Sequence, residues 1–173
     1  MNRELRSEEF LQESMRKFGE TVYALALSQV RRSADAEDIC QDVFLRLLQD
    51  RTVFRNDEHL KAWLLRVTLN RCRDFFRLAY NSRREPLEDG DAQESAAGEN
   101  GAEPEDDVWA SVGELPPKLR SAVHLYYGEG YSCKEIARIQ GCTCAAAHTR
   151  LHQARIKLKL KLCGESGEAK AEA

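Results

Sequence analysis

The sequence predicts an all-α fold in two small helical domains joined by a flexible acidic linker, and three observations carry that expectation. Apolar residues recur every three or four positions in successive segments, while the alternation that marks strands is absent. Residues 85–107 hold ten acids and no Lys or Arg, with few large apolar side chains to drive burial. On either side the balance reverses: residues 1–84 carry sixteen Lys/Arg against thirteen Asp/Glu, and residues 108–163 carry nine against three. The formal charge of −3 therefore hides two basic bodies tied by an acidic strap, which suits a polyanionic partner. The expected boundaries are 1–84, a linker over 85–107, 108–163, and a disordered tail over 164–173.

In residues 8–31 the helical period runs through Phe10, Leu11, Met15, Phe18, Val22, Leu25 and Ala26, with Arg31 and Arg32 placed to suit the carboxyl end of the macrodipole. A second helix is expected over Ala36–Gln49. Asp35 can cap it, and Ile39, Val43, Phe44, Leu47 and Leu48 form its buried side. Its outer side carries Gln41, Asp42, Leu45 and Arg46. Leu45 there is either a docking contact or an ordinary exposed leucine. After a polar loop containing Phe54 and Asn56, a third helix is expected from about His59 to Leu78. Its apolar residues (Trp63, Leu64, Val67, Leu69, Cys72, Phe75, Phe76) surround much of it, so it should lie centrally in a bundle. Arg66, Arg71, Arg73 and Arg77 interleave with the aromatics, as core plus solvated rim or as a surface for unpaired bases.

The second domain should open with Val108, Trp109, Val112 and Leu115. Pro116 and Pro117 suit the first turn of the next helix, whose apolar face is Leu119, Ala122, Val123 and Tyr126. Ser132 and Glu135 form a capping box ahead of Ile136, Ala137 and Ile139, and Gly141 supplies the left-handed turn that ends this short helix. Thr143 can cap a longer helix with Cys144, Ala147, Leu151, Ala154 and Leu158 as its buried stripe. The opposite side carries His148, Thr149, Arg150, His152, Gln153 and Arg155, all donors or cations. Short helix, glycine turn and longer polar-faced helix is the helix-turn-helix pattern, in which the second helix enters the major groove of DNA; the plain alternative is a helical hairpin with a solvated face.

The six cysteines form no paired CxxC framework. Cys142, Cys144, His148 and His152 have a spacing that could hold zinc, but Cys144 falls in the buried stripe and the histidines on the groove side, so no metal is expected. No phosphate loop, paired-carboxylate site or nucleophile elbow appears, so neither catalysis nor a cofactor is expected. MNRELRSEEF is charged, and the longest apolar run, Val22–Leu27, is too short to span a bilayer; a cytoplasmic protein with reduced thiols and no membrane insertion is expected.

Two helical modules in this order resemble bacterial RNA polymerase sigma factors of the extracytoplasmic-function group. The matching residues are DAEDICQDVFLRLL (35–48), FRNDEHLKAWLLRVTLNRCRDFFR (54–77) and ELPPKLRSAVHLYYGEGYSCKEIARIQGCTCAAAHTRLHQARIKL (114–158). The resemblance implies that Asp38, Gln41, Asp42, Leu45 and Arg46 dock on the clamp helices of the polymerase largest subunit, with a further contact to the flap. It implies that Phe54, Asn56, Asn70, Arg71, Arg73, Asp74 and Arg77 open the minus-ten element of promoter DNA and capture a flipped base, with no ATP site needed. Thr143, His148, Thr149, Arg150, His152, Gln153 and Arg155 then face the minus-thirty-five element, Arg150 as the foremost candidate for a phosphate or guanine contact. An anti-sigma protein is a further implied partner. Residues 145–150 read Ala-Ala-Ala-His-Thr-Arg where the family commonly has a Gly-Thr-Val-Lys-Ser-Arg-like run, so the resemblance implies no particular promoter sequence. The rival is a stand-alone helix-turn-helix regulator that binds an operator without polymerase, and a metal- or thiol-sensing role could coexist with either.

Overall fold

The structure, a computed structural model, describes the backbone of residues 6–83 and 104–170, and the side chains of 6–82 and 108–161. Residues 1–5, 171–173 and most of the stretch read as linker lie outside the described residues. By internal contacts the chain divides into two units, Met1–Ala97 and Gly98–Ala173. All described regular structure is helical, as the apolar period requires.

The first unit contains α1 (Glu8–Val30), α2 (Ser33–Gln49) and α3 (Asp57–Arg83), each packed on the other two. Ser7 starts α1, its hydroxyl accepting the Phe10 N–H at 3.2 Å, and Glu8 and Glu9 load the first turn. Arg31 ends it in the left-handed region (φ 61°), its N–H donating to Leu27 O at 2.8 Å, so it caps the helix rather than sitting in its last turn. Asp35 does not cap α2. The helix begins earlier, with Arg32 at the N-cap, and Asp35 loads the first turn. Val22, Ala26, Val43, Leu47 and Leu64 are closed off completely in the core. Half-buried Trp63, Val67, Phe75 and Phe76 pack around them, as expected of a central α3. Thr68, also fully buried, satisfies its hydroxyl by donating to Leu64 O at 2.7 Å. Burial, with Glu37 as a smaller influence, pushes the Cys40 thiol up to about 11, which makes it an inert packing residue.

The second unit contains α4 (Pro104–Gly113), α5 (Pro117–Val123), a π-helical turn (His124–Gly128), α6 (Cys133–Gln140) and α7 (Cys144–Lys170). Helix α4 begins inside the stretch read as linker, and α7 continues past Cys163 where a disordered tail was expected. Pro116 caps α5, and Pro117 occupies its first position, where a missing amide costs little. The capping box is formed: Glu135 N–H donates to Ser132 Oγ at 3.3 Å and Ser132 N–H to Glu135 Oε2 at 2.8 Å. Gly141 turns the chain at φ 67°, a conformation in which a side chain would be strained. Thr143 Oγ1 then accepts the Ala146 N–H at 3.1 Å to start α7.

Ala147, Leu151 and Ala154 form the buried stripe of α7, with Leu158 half-buried at its end. Cys144 does not join them and is exposed. The three-four spacing extends the stripe by one turn on paper, but the first residue after the Gly141 turn stands outside the packed interface. Among the described residues, no helix is long and apolar enough to cross a membrane.

Candidate nucleic-acid interface

Helix α7 presents His148, His152 and Gln153 as exposed side chains on successive turns, a row of donors and acceptors long enough to read base edges. Two hydroxyls in the same region are committed locally. Thr143 caps the helix, and Thr149 Oγ1 donates to Ala145 O at 2.9 Å. The arginines are braced by the protein. Arg150 is half-buried, with Nη1 donating to Gln140 Oε1 at 2.8 Å. Arg155 Nε donates to Tyr127 Oη at 2.9 Å, and its guanidinium lies 5.4 Å and 5.8 Å from the ring centroids of Tyr126 and Tyr127. Sequence spacing puts all of these residues on one outward side. The structure makes two of them part of the scaffold as well.

Gln140 is the organising residue that periodicity does not reveal. It is buried, and its Nε2 donates to Ser121 Oγ at 2.7 Å and to Lys118 O at 3.1 Å. Those two bonds fix the amide so that Oε1 faces Arg150. The only sequence signal is a polar residue at the end of an apolar helix face. Gln140→Leu fits the volume but leaves Arg150 without this acceptor and Ser121 Oγ without this donor. We predict a loss of about 1–3 kcal/mol in the second unit, read by chemical denaturation. A transition that does not move would show the network to be energetically neutral.

The π-helical turn carries His124, whose ring meets Trp109 edge-on at 6.5 Å and whose Nε2 lies 4.0 Å from Glu129 Oε1. Burial holds this imidazole below its ordinary 6.5, with Glu129 opposing the shift. The unfolded chain therefore takes up the proton more readily than the folded one. Stability is fully present above pH 6.5 and falls as the solution is acidified toward the lower folded value, by at most ~1.4 kcal/mol per pH unit. Thermal unfolding followed by Trp109 should show this acid loss, and His124→Gln should remove part of it. An identical acid profile in the variant would assign the loss to other groups.

In the first unit, Asp38, Gln41, Asp42, Leu45 and Arg46 are all exposed along α2, with Leu45 55% accessible among charged neighbours. On α3, Asn70, Arg73, Asp74 and Arg77 are exposed at i, i+3, i+4 and i+7, so they share one side, and Arg71 is half-buried beside them. Arg73 Nη1 donates to Asn70 Oδ1 at 3.4 Å. The preceding loop is well braced. Asn56 Oδ1 accepts the His59 N–H at 2.8 Å to start α3, and His59 Nδ1 accepts the Arg55 N–H at 3.2 Å. Phe54 is half-buried, meeting Trp63 and His59 edge-on at 5.6 Å and 5.3 Å. Among the described residues, no group of three or more His, Cys, Asp or Glu could hold a metal ion.

The sigma-70 region 2 family model matches residues 15–81, and the sigma-70 region 4 model matches residues 105–158. The chain is 29% identical over 150 residues to the ECF RNA polymerase sigma factor EcfG of Rhodopseudomonas palustris, covering 84% of this chain and 81% of that protein. It is 29% identical over 147 residues to the ECF RNA polymerase sigma-E factor of Escherichia coli, covering 76% of each. In fold it is similar to the sigma factor RpoE of Bartonella quintana, solved with the anti-sigma factor NepR. That likeness has a TM-score of 0.69 at 24% identity and covers 90% of this chain and 98% of that one.

Proposed function

Because the chain belongs to the extracytoplasmic-function group of RNA polymerase sigma factors, non-enzymatic factors of transcription initiation, we propose that it binds core polymerase through α2, reads promoter DNA at two elements and promotes melting. In this reading Asp38, Gln41, Asp42, Leu45 and Arg46 meet the largest subunit. The loop bearing Phe54 and Asn56, with Asn70, Arg71, Arg73, Asp74 and Arg77 of α3, handles the minus-ten element. His148, His152 and Gln153 address bases of the minus-thirty-five element, while the braced Arg150 and Arg155, with Thr143 and Thr149, meet the backbone. Residues 84–103 extend to at most about 66–72 Å, enough to bridge elements separated by roughly 55–60 Å of duplex. A protein inhibitor is a further partner, as for the Bartonella quintana relative.

The observation that carries this reading is the exposed α2 face of the first unit. An operator-binding regulator needs only α6 and α7, and has no use for a second unit displaying Leu45 among exposed charges. Co-purification with core polymerase tests it, and a chain that binds DNA but not polymerase would favour the stand-alone regulator. For the DNA face, His148→Ala is expected to weaken binding to a mapped promoter by about 1–2 kcal/mol. Unchanged affinity would remove His148 from the contact set.

A further inference from the structure

The loop of the first unit that carries Phe54 is held by a residue far away in the chain. Arg6 precedes α1, and its backbone N–H donates to Leu48 O at 3.1 Å. Its Nε donates to Leu47 O at 3.0 Å, in the last turn of α2, where that carbonyl also accepts the Asp50 N–H at 3.2 Å. Its Nη2 donates to Thr52 O inside the loop and lies 4.0 Å from Asp50 Oδ1. The guanidinium carbon sits 5.0 Å from the Phe54 ring centroid and 5.1 Å from that of Phe10. One planar group therefore joins the end of α2 to the loop and lies between two aromatic rings. It fixes the Phe54 ring on one side while Trp63 and His59 fix it at the edge. The side chain is 19% exposed, so the clamp works largely away from water.

We propose that Arg6 is a positioning residue for promoter opening, holding the Thr52–Asn56 loop in the conformation that receives the unpaired strand. The inference rests on the reading of that loop given above. Val53, Arg55 and Asn56 are exposed at the loop surface, and a strand that lands on them meets a loop already ordered. Each loop residue that must instead be ordered on contact costs backbone entropy, which weakens capture. Lysine keeps the charge. It has no planar guanidinium fork to donate to both carbonyls while holding a delocalised cation against the Phe54 ring.

The test compares the wild-type full chain with Arg6→Lys and Arg6→Ala, at a temperature well below their unfolding transitions. In the free proteins, amide hydrogen exchange is measured at Thr52 and Arg55, whose N–H groups donate to Asp50 Oδ1 at 2.7 Å and to His59 Nδ1 at 3.2 Å. In holoenzyme, permanganate reactivity of promoter thymines reports opening, and core affinity is measured separately. The expected result is exchange at least about tenfold faster in both variants, with opening reduced about tenfold and core affinity within about twofold of wild type. Wild-type opening by Arg6→Lys would overturn the proposal, because charge alone would then suffice. Unchanged loop exchange in Arg6→Ala would overturn it too. Failure of the wild-type holoenzyme to open any promoter would instead defeat the functional reading, and the exchange measurement would still decide whether Arg6 orders the loop.

Discussion

Leu151→Ala should remove about 2–5 kcal/mol from the second unit and leave the first untouched. Leu151 is 1% exposed on α7, and its stripe neighbours Ala147 and Ala154 are closed off completely. Small residues flank it along the stripe by which α7 packs against α5 and α6. The cavity should persist, and its cost should sit at the upper end of the range. A small unit of this size holds only a few kcal/mol in reserve, so the variant should be substantially unfolded near physiological temperature. The chain has two tryptophans, Trp63 in the first unit and Trp109 in the second. Unfolding in a Trp63→Phe background reads the second unit alone, and Trp109→Phe reads the first. The Trp109 transition should fall sharply while the Trp63 transition stays in place. A shift of both together would mean that the two units unfold as one.

Leu45→Asp should weaken binding to core polymerase by at least about 2 kcal/mol, roughly thirtyfold, with no more than about 0.5 kcal/mol change in the stability of the first unit. The two effects separate because Leu45 lies on the outer side of α2, away from Val43, Phe44 and Leu47, which carry the packing on the inner side. An aspartate at that position meets water in the free protein at little cost. At a protein interface it would bury a charge beside Asp42 and Asp38 with no cation supplied by this helix except Arg46. Loss of affinity accompanied by an equal loss of stability would mean that Leu45 supports the fold instead. Full affinity in the variant would move the polymerase contact elsewhere.

What the sequence made legible is what depends on near neighbours in the chain. The Ser132–Glu135 capping box, the Gly141 turn, the Thr143 cap and the Pro116–Pro117 start each need only residues within a turn, and each forms as the local chemistry requires. The exposed side of α2 was equally readable, because helical period sorts inner from outer residues directly. The start of α2 was less so, since Ser33, Asp35 and their neighbours offer competing first turns. The π-helical turn at His124–Gly128 adds one residue to a helical repeat and has no compositional mark, so Tyr126 ends up with Tyr127 beside Arg155 rather than continuing the α5 face. Cys144 shows the limit of period counting, because burial needs a facing element as well as a matching register. Arg150 and Gln140 became a pair only through tertiary packing. Arg6 was invisible for the same reason, its partners Leu47 and Thr52 lying 41 and 46 residues along the chain.

The central claim concerns where transcription begins. Core polymerase should be incubated with a genomic fragment library, with and without the purified chain, and the 5′ ends of the RNA mapped. The account predicts a new set of start sites that appears only with the chain, each preceded by two short shared elements about one promoter spacer apart, and lost in Leu45→Asp. Start sites identical to those of core polymerase alone, from a folded chain that does not join the enzyme, would contradict it.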